Sequence, residues 1–369
     1  MVKILFLIRD LGQGGAEKVL INLVNNLDRT KFDISVTVLF GGGVNERFLR
    51  SDINFRVVFP KEIPGNSKLM KILSPQQLHR LCVKERYDIE VAYLEGPSTR
   101  VIGGCTNINT KLMAWVHSTI QSRKEVGAAF RSYNECRECY KRFDRVACVS
   151  ETIFENFGKI FDCKLPLTVI HNTVDSNEIK KKALENIANN IFDANTINII
   201  AVGTLKQVKG YDRLLNIFNN LYKRKYSIHL YILGIGPMIT KLEKFVEENE
   251  LTSCVSFLGY QTNPYKYVAR SDLFVCASYS EGFSTAATEA LIVGTPICTV
   301  EVSGMKEMLG DSEYGLITKN TEEDLYHGIK SLIDNPDRLA YYKKQACLRG
   351  KAFSIEETVK KAEEIFLSL

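Results

Sequence analysis

The sequence predicts two doubly wound, Rossmann-like α/β domains in tandem, and three observations predict it. The chain has 369 residues, more than one ordinary core supports and about right for two domains of common size. Short, continuously apolar runs alternate with amphipathic helical patterns from end to end. A polar stretch after Asp175, SNEIKKKALENIANNIFDANT, divides those runs into two similar series. Strands that are apolar throughout are buried on both faces, which means parallel sheets covered by helices.

The first series offers VKILFLI, FDISVTVLF, FRVVF, DIEVAYL, KLMAWVH, RVACVS and LTVIHN as strands. Helical patterns such as AEKVLINLVNNL and PQQLHRLCVKER lie between them. The second series is INIIAVG, IHLYILG, VSFLG, DLFVCAS, TPICTV and YGLIT. The expected domains are 1–176 and 177–353. A final helix, 354–369, opens on Ser354 with Glu357 in a capping-box pattern, and is expected to pack back onto the first domain. In paired domains of this kind, ligands bind where strand carboxyl ends face the crevice.

Composition narrows the classes. Hydrophobic residues make up 45% and charged residues 25%, a soluble globular balance. No apolar run approaches the ~18 residues of a membrane span, and MVKILFLIRD reads as a buried strand rather than a signal peptide. The expected location is cytoplasmic. The ten cysteines are read as buried thiols in a reducing compartment, including the C-x-x-C of Cys136 and Cys139. A net charge of +5 suits anionic small molecules or a membrane surface, and no nucleic-acid motif is present.

Several strand exits carry chemistry-bearing residues. LGQGGAEKVL places Gly14 and Gly15 before the first helix, where backbone can approach an anion. AVGTLKQVKGYDRLL does the same in the second domain, with Gly203, Thr204, Lys209 and Gly210. A lysine at such a turn can neutralise a diphosphate as a point charge; an ordinary solvated lysine is the alternative. LGIGP and FLGY add Gly234, Gly236 and Gly259 as exits that could lie beside a planar base or be simple turns. His117 ends an apolar strand, where its side chain can emerge at the sheet's edge or be a satisfied structural histidine.

The segment EGFSTAATEALIVGTP holds two carboxylates, Glu281 and Glu289, with uncharged residues between them. Ser284 is a plausible N-cap, so Glu281 lies in the loop and Glu289 inside the helix. Eight helical steps would separate them by ~12 Å along the axis, whereas glycosidase pairs stand ~5–9.5 Å apart. A long separation suits groups at opposite ends of one ligand. The N–H groups of Gly282, Phe283 and Ser284 sit where a bridging phosphate would go. That is the shape of a sugar nucleotide.

With these motifs in order, the chain resembles the family 4 retaining glycosyltransferases of the two-domain GT-B fold. GGAEKVLINLVNNL, VHSTI, CVSE, IHNTVD, VGTLKQVKG, YILGIGP, FLGYQTNPYKYVARSDLFVCAS, the E-x7-E segment and SGMKEML span nearly all of it. YDIEVAYLEGPSTR with AWVHS further resembles bacterial enzymes of capsule, O-antigen and other surface-polysaccharide synthesis. The resemblance implies that Glu281 contacts the transferred sugar, Glu289 the ribose and Lys209 the diphosphate. It implies that His117 faces the donor sugar, that Gly14 and Gly15 close over phosphates, and that Gly304 and Glu307 match the following motif. It implies a UDP-sugar donor, a glycan or polyprenyl-diphosphate-linked acceptor, a hexose or N-acetylhexosamine transferred with retention, and no required metal or other cofactor. Two positions depart from the family pattern: Thr204 stands where Arg is usual, and Thr173 where Gly is commoner.

Rival readings are a sugar-nucleotide epimerase of the same fold and a non-catalytic sugar-nucleotide-binding partner subunit, the latter prompted by Thr204. A dinucleotide-dependent oxidoreductase is disfavoured because the first turn lacks G-x-G-x-x-G. The segment QSRKEVGAAFRSYNECRECYKRFDR places Phe130, Tyr133 and Tyr140 at helical spacing beside many basic residues. It is read as either a peripheral contact with anionic membrane or a core face with a solvated back.

Overall fold

The computed structural model describes residues 1–62, 65, 70–161, 163–187 and 191–369; residues 188–190 of the polar stretch after Asp175 lie outside it. The chain forms two compact units, one of Met1–Thr173 with Ile355–Leu369, the other of Val174–Ser354.

The first unit is built on a seven-stranded sheet of β1 (Val2–Ile8), β2 (Phe32–Phe40), β3 (Asn54–Phe59), β4 (Ile89–Tyr93), β5 (Lys111–Val116), β6 (Arg145–Cys148) and β7 (Leu167–Val169). Its spatial order is β3-β2-β1-β4-β5-β6-β7, and every pairing is parallel. The second unit has a six-stranded sheet of β8 (Ile197–Val202), β9 (Ile228–Leu233), β10 (Val255–Gly259), β11 (Leu273–Cys276), β12 (Ile297–Val300) and β13 (Leu316–Thr318). Its order, β10-β9-β8-β11-β12-β13, repeats the doubly wound plan, again with parallel pairings. Parallel strands need crossover helices. The central strands β1, β4, β5, β8 and β9 accordingly have apolar side chains on both faces that are almost wholly buried.

Each sheet reverses direction of winding once, between β1 and β4 and between β8 and β11. Those reversals open crevices at the carboxyl ends of the strands. All the site candidates named from sequence lie at such ends or in the helices that leave them.

The closing helix, Ile355–Ser368, belongs to the first unit. Phe366 is 2% exposed, and its ring meets Phe6 edge-on at 5.8 Å and Phe32 at 6.1 Å. The Glu363 carboxylate accepts from the Asp28 N–H at 2.8 Å and from Lys31 Nζ at 3.0 Å. An apolar seam and a polar clip thus fix the last helix on the edge of β1 and β2.

One local expectation is corrected, and one left with two alternatives is decided. The helix expected over 75–86 stops at Cys82. Val83 is already extended, and Asp88 N–H donates to Lys3 O at 2.9 Å, so pairing of the next strand captures the chain. The aromatic segment 121–145 is no single lipid-facing helix. Short helices Arg123–Val126 and Tyr133–Tyr140 flank a loop, and Phe130 and Tyr140 are at most 1% exposed. The Tyr140 ring packs on Phe143, Phe157 and Phe161 at 5.0–5.8 Å. These rings are core. Among the described residues no helix is long and apolar enough to cross a membrane.

Phe366→Ala is expected to destabilise the first unit by about 3–5 kcal/mol, the usual loss for a buried phenylalanine. Urea unfolding followed by Trp115, the only tryptophan and a residue of this unit, measures it.

Candidate active site

In the second unit, β8 runs into the loop 203–210 and then the helix Tyr211–Lys223. Gly210 is left-handed (φ 65°), and a Cβ built there would sit 1.9 Å from Ala277 O. Only glycine allows the turn to press against the exit of β11 so closely. Tyr279 N–H donates to Val208 O at 2.8 Å, which joins the two loops. Lys209 Nζ, carried by this turn, meets both carboxylate oxygens of Glu281, at 2.7 and 2.8 Å. Ser278 Oγ donates to the same carboxylate at 2.5 Å.

The Glu281 side chain is 8% exposed and Lys209 is 28% exposed. A buried carboxylate requires partners, and here it has an ammonium and a hydroxyl. Burial pushes the Lys209 pKa down, but the Glu281 charge and hydrogen bond outweigh it and hold the ammonium above its ordinary range. The lysine is therefore a fixed positive charge. Glu281 and Lys209, expected separately as a sugar contact and a diphosphate contact, form one ion pair.

Arg213, one turn into the helix, is 3% exposed. Its guanidinium donates to Ala277 O at 2.7 Å, Ser278 O at 2.8 Å and Asn320 Oδ1 at 2.8 Å. It also lies 4.2 Å from the centre of the Tyr279 ring. Sequence reading missed Arg213 and Ser278. Lys209 lies in the turn before left-handed Gly210 and Arg213 in the first turn of the helix that follows, so no helical spacing linked them in the sequence.

The other glycine exits stack together. Gly234 N–H donates to Gly259 O at 2.8 Å, and a Cβ on Gly234 would fall 1.9 Å from Gly203 O. Three adjacent strand ends therefore approach backbone to backbone, leaving a surface of peptide groups. Thr204, partly buried, follows on this surface. Glu289 is 7% exposed in the helix Thr285–Ile292, where Tyr265 Oη donates to Glu289 Oε1 at 3.4 Å. Ser284 caps that helix, accepting from Ala287 N–H at 3.3 Å. Gly282 and Phe283 precede it, and Gly304 packs on them: a Cβ there would meet the Phe283 ring at 2.7 Å.

His117 and the Gly14–Gly15 turn belong to the first unit. His117 follows β5, is 9% exposed, and stacks on Tyr93 at 4.7 Å and Trp115 at 6.3 Å. Burial lowers its pKa to about 3, so the imidazole is neutral at physiological pH. Nε2 of His117, Oη of Tyr93 and Nε1 of Trp115 are all buried without a protein partner among the described residues. Tyr93 pairs with Trp115 across β4 and β5, and His117 is two residues beyond Trp115, so the three share one face. Gly14 precedes the helix Gly15–Asn26, and a Cβ there would clash with the Glu17 carboxylate at 2.0 Å.

Away from these ends, His79, Glu90 and Cys105 bring three metal-ligating atoms within 4.8 Å of one another. His79 Nε2 and Glu90 Oε2 are 2.7 Å apart. Burial depresses the imidazole pKa, yet hydrogen bonds that the ring donates to Cys105 and Glu90, with the Glu90 charge, lift it to about 9. The pair satisfies its own charge.

The chain thus consists of two doubly wound units, with an ion pair and glycine exits at the strand ends of one and a buried neutral histidine in the other. Two family models match: Glycosyltransferase Family 4 over residues 13–178 and Glycosyl transferases group 1 over residues 183–349. The chain belongs to the family 4 glycosyltransferases and has the GT-B fold. It is 28% identical, over 96% of both chains, to the Campylobacter jejuni N-acetylgalactosamine-N,N'-diacetylbacillosaminyl-diphospho-undecaprenol 4-alpha-N-acetylgalactosaminyltransferase. Anabaena HepE, solved with UDP and glucose, superposes with a TM-score of 0.79 at 19% identity over all of both chains. WaaG, a glycosyltransferase involved in lipopolysaccharide biosynthesis, superposes with a TM-score of 0.78 at 14% identity, over 98% of this chain and 99% of WaaG.

Arg213→Ala is expected to cost the second unit about 3 kcal/mol or more, since hydrogen bonds to a charged group are each worth ~1.5–3. Native-state hydrogen exchange of the β8 and β9 amides reads the loss.

The buried histidine makes a pH prediction. Above pH 6.5 both folded and unfolded forms are neutral. As pH falls below that, the unfolded chain takes a proton that the folded imidazole refuses until about pH 3. Stability is lost in that window at up to about 1.4 kcal/mol per pH unit. His117→Phe should show a shallower decline between pH 6 and 4 when unfolding is followed by Trp115 fluorescence. Equal slopes would mean the imidazole titrates in the folded protein.

Proposed function

We propose that the chain transfers a hexose or N-acetylhexosamine, with retention, from a UDP-sugar to a glycan or polyprenyl-diphosphate-linked acceptor during bacterial surface-polysaccharide synthesis. The enzyme would be cytoplasmic and work at the inner face of the membrane where such acceptors sit. The observation that carries the reading is the Lys209–Glu281 pair, 2.7 Å apart at the strand exits of the second unit. The Campylobacter relative, named for an undecaprenol-linked acceptor, supports the acceptor class. The UDP bound to HepE supports the base.

In this reading Lys209 faces the donor diphosphate while remaining tethered to Glu281. An ammonium has three donors, so it can serve both. The N–H groups of Gly282, Phe283 and Ser284, at the start of a helix, add the positive end of its dipole. No metal or other cofactor is required. Glu289 holds the ribose and Glu281 the transferred sugar. His117, neutral and with Nε2 unpaired among the described residues, takes a sugar hydroxyl, and the Gly14–Gly15 turn closes over phosphate.

Retention follows a front-face path. The bond from the anomeric carbon to the diphosphate oxygen breaks. The acceptor oxygen bonds to the same face, and its proton passes to the leaving diphosphate oxygen. Lys209 stabilises the charge that develops there. Glu281 is an unlikely nucleophile on physical grounds, because its carboxylate is already held by an ammonium and a hydroxyl.

A melting-shift screen of UDP- and GDP-sugars, followed by turnover on polyprenyl-diphosphate-linked sugars and NMR of the product anomer, tests the proposal. An inverted product or turnover with no acceptor at all would overturn it. Lys209→Ala should lower kcat by about 100- to 1,000-fold, as when an oxyanion donor is lost. Glu289→Ala should chiefly raise the donor KM, by roughly 10- to 150-fold, because the ribose does not react. Glu281→Ala should chiefly lower kcat, because its charge faces the sugar that becomes cationic. If both glutamate losses abolished turnover with donor affinity intact, the two would be an acid and nucleophile pair.

A further inference from the structure

We infer that Glu95 is the positioning residue for His117, holding the exit loop of β5 so that the neutral imidazole presents a fixed Nε2. The inference rests on the proposed role of His117.

Four observations carry it. The first is backbone strain. Leu94, immediately after β4, has φ 88°, a conformation that a branched side chain adopts only when its surroundings impose it. Gly96, two residues on, has φ 98°. Between them the chain turns sharply and aims Glu95. The second is what Glu95 reaches. Its Oε2 accepts from the His117 N–H at 2.9 Å, and Ser118 adds side-chain and backbone hydrogen bonds. One carboxylate from the exit of β4 thus fastens two successive amides at the exit of β5.

The third is place. β4 lies next to β1, where the sheet reverses its winding, the position at which doubly wound sheets bind ligands. The fourth is the state of the imidazole. Its ring packs against the Tyr93 ring at 4.7 Å and lies 6.3 Å from that of Trp115, and its Nε2 is buried with no protein partner among the described residues. Tyr93 and Trp115 set the plane of the ring, and Glu95 sets the height of its backbone. Burial raises the Glu95 pKa despite these hydrogen bonds. The strain and the buried carboxylate are both costs to folding, and neither is needed to close an ordinary strand exit.

Glu95 touches no reacting atom in this scheme, so its loss must act through His117. The test compares Glu95→Ala, Glu95→Gln, His117→Ala and the double variant Glu95→Ala/His117→Ala. Transfer is assayed with whichever of UDP-glucose, UDP-galactose, UDP-N-acetylglucosamine or UDP-N-acetylgalactosamine gives the largest melting shift. Misplacing a contact group by about 1 Å lowers turnover by ~100-fold. Glu95→Ala should therefore lower kcat by roughly that factor and leave the donor KM within about threefold. Glu95→Gln keeps an oxygen that accepts the same N–H groups and should restore kcat to within about tenfold of wild type. In the His117→Ala background, removal of Glu95 should change kcat by less than about twofold, the non-additivity of residues that act as one unit.

A readout independent of turnover is the ¹⁵N spectrum of the five histidines, in which the His117→Ala difference assigns His117. Wild type should show one neutral tautomer, and Glu95→Ala should broaden or shift it. Glu95→Gln, which preserves the fold's size and polarity, keeps the test valid if Glu95→Ala fails to fold. Glu95→Gln as damaging as Glu95→Ala, or additive losses in the double variant, would overturn the positioning role, as would wild-type activity in both single variants. If His117→Ala itself keeps full turnover, the role proposed for His117 fails, and that result is separate from any outcome at Glu95.

Discussion

The second unit is organised around one requirement: a carboxylate that is almost wholly buried must have a cation beside it. Glu281 meets this through Lys209, and much of the local structure serves that meeting. Gly210 lets the 203–210 loop come within van der Waals contact of Ala277. Arg213 draws the same Ala277 carbonyl and its neighbour Ser278 onto the helix Tyr211–Lys223. Ser278 then supplies a hydroxyl to Glu281. Each contact is short and directional, so the pair is held by covalent proximity to two packed elements rather than by its own attraction. That distinguishes it from an exposed ion pair, whose geometry is free and whose worth is small.

The first unit solves a different problem with different chemistry. At its strand ends the chief titratable side chain, His117, is kept neutral by burial, and it stacks on aromatic rings. A neutral imidazole is a selective partner for a hydroxyl, since it donates at one nitrogen and accepts at the other. An ammonium fixed by a carboxylate is suited to an anion. Each unit therefore presents its own chemistry at its strand ends: a neutral imidazole in the first, a carboxylate-paired ammonium in the second. Neither feature depends on the other for its local geometry.

The layout of both sheets was legible because the strands carry their own signal. VKILFLI, INIIAVG and IHLYILG are apolar on both faces, and only a covered parallel sheet buries both. Each strand read from sequence is found, with ends shifted by at most three residues. What failed was reading that depended on tertiary context. PQQLHRLCVKER has helical periodicity throughout, yet strand pairing at Asp88 ends the helix early. The aromatic spacing of 121–145 is equally compatible with lipid and with core, and only packing against Phe157 and Phe161 decides for core. The individual site residues were legible as types at strand exits. Their partnerships were not: nothing in the spacing of Lys209 and Glu281, seventy-two positions apart, announces an ion pair. Arg213 was not singled out at all, because its partners come from the exit of β11 and from Asn320. Glu95 stood in a stretch read only for its family likeness, because backbone strain at Leu94 has no signature in composition.

Thr204 gains meaning from this arrangement. Where the family usually has arginine, this chain has a hydroxyl, so under the proposed function Lys209 would carry more of the task of facing a diphosphate. Yet Lys209 is already neutralised in part by Glu281, and a point charge shared between two anions is weaker toward each. The balance shifts toward backbone groups: the N-terminus of Thr285–Ile292, worth about half a positive charge, and the peptide surface of Gly203, Gly234 and Gly259. Backbone donors differ from a guanidinium in kind. They cannot swing to follow a ligand, and they are lost only when the fold moves. Recognition built on them is therefore set by how tightly the strand exits are packed, which returns the argument to Gly210, Gly234 and Arg213. In this chain the residues that hold the loops together matter as much to an anion as the residues that face it.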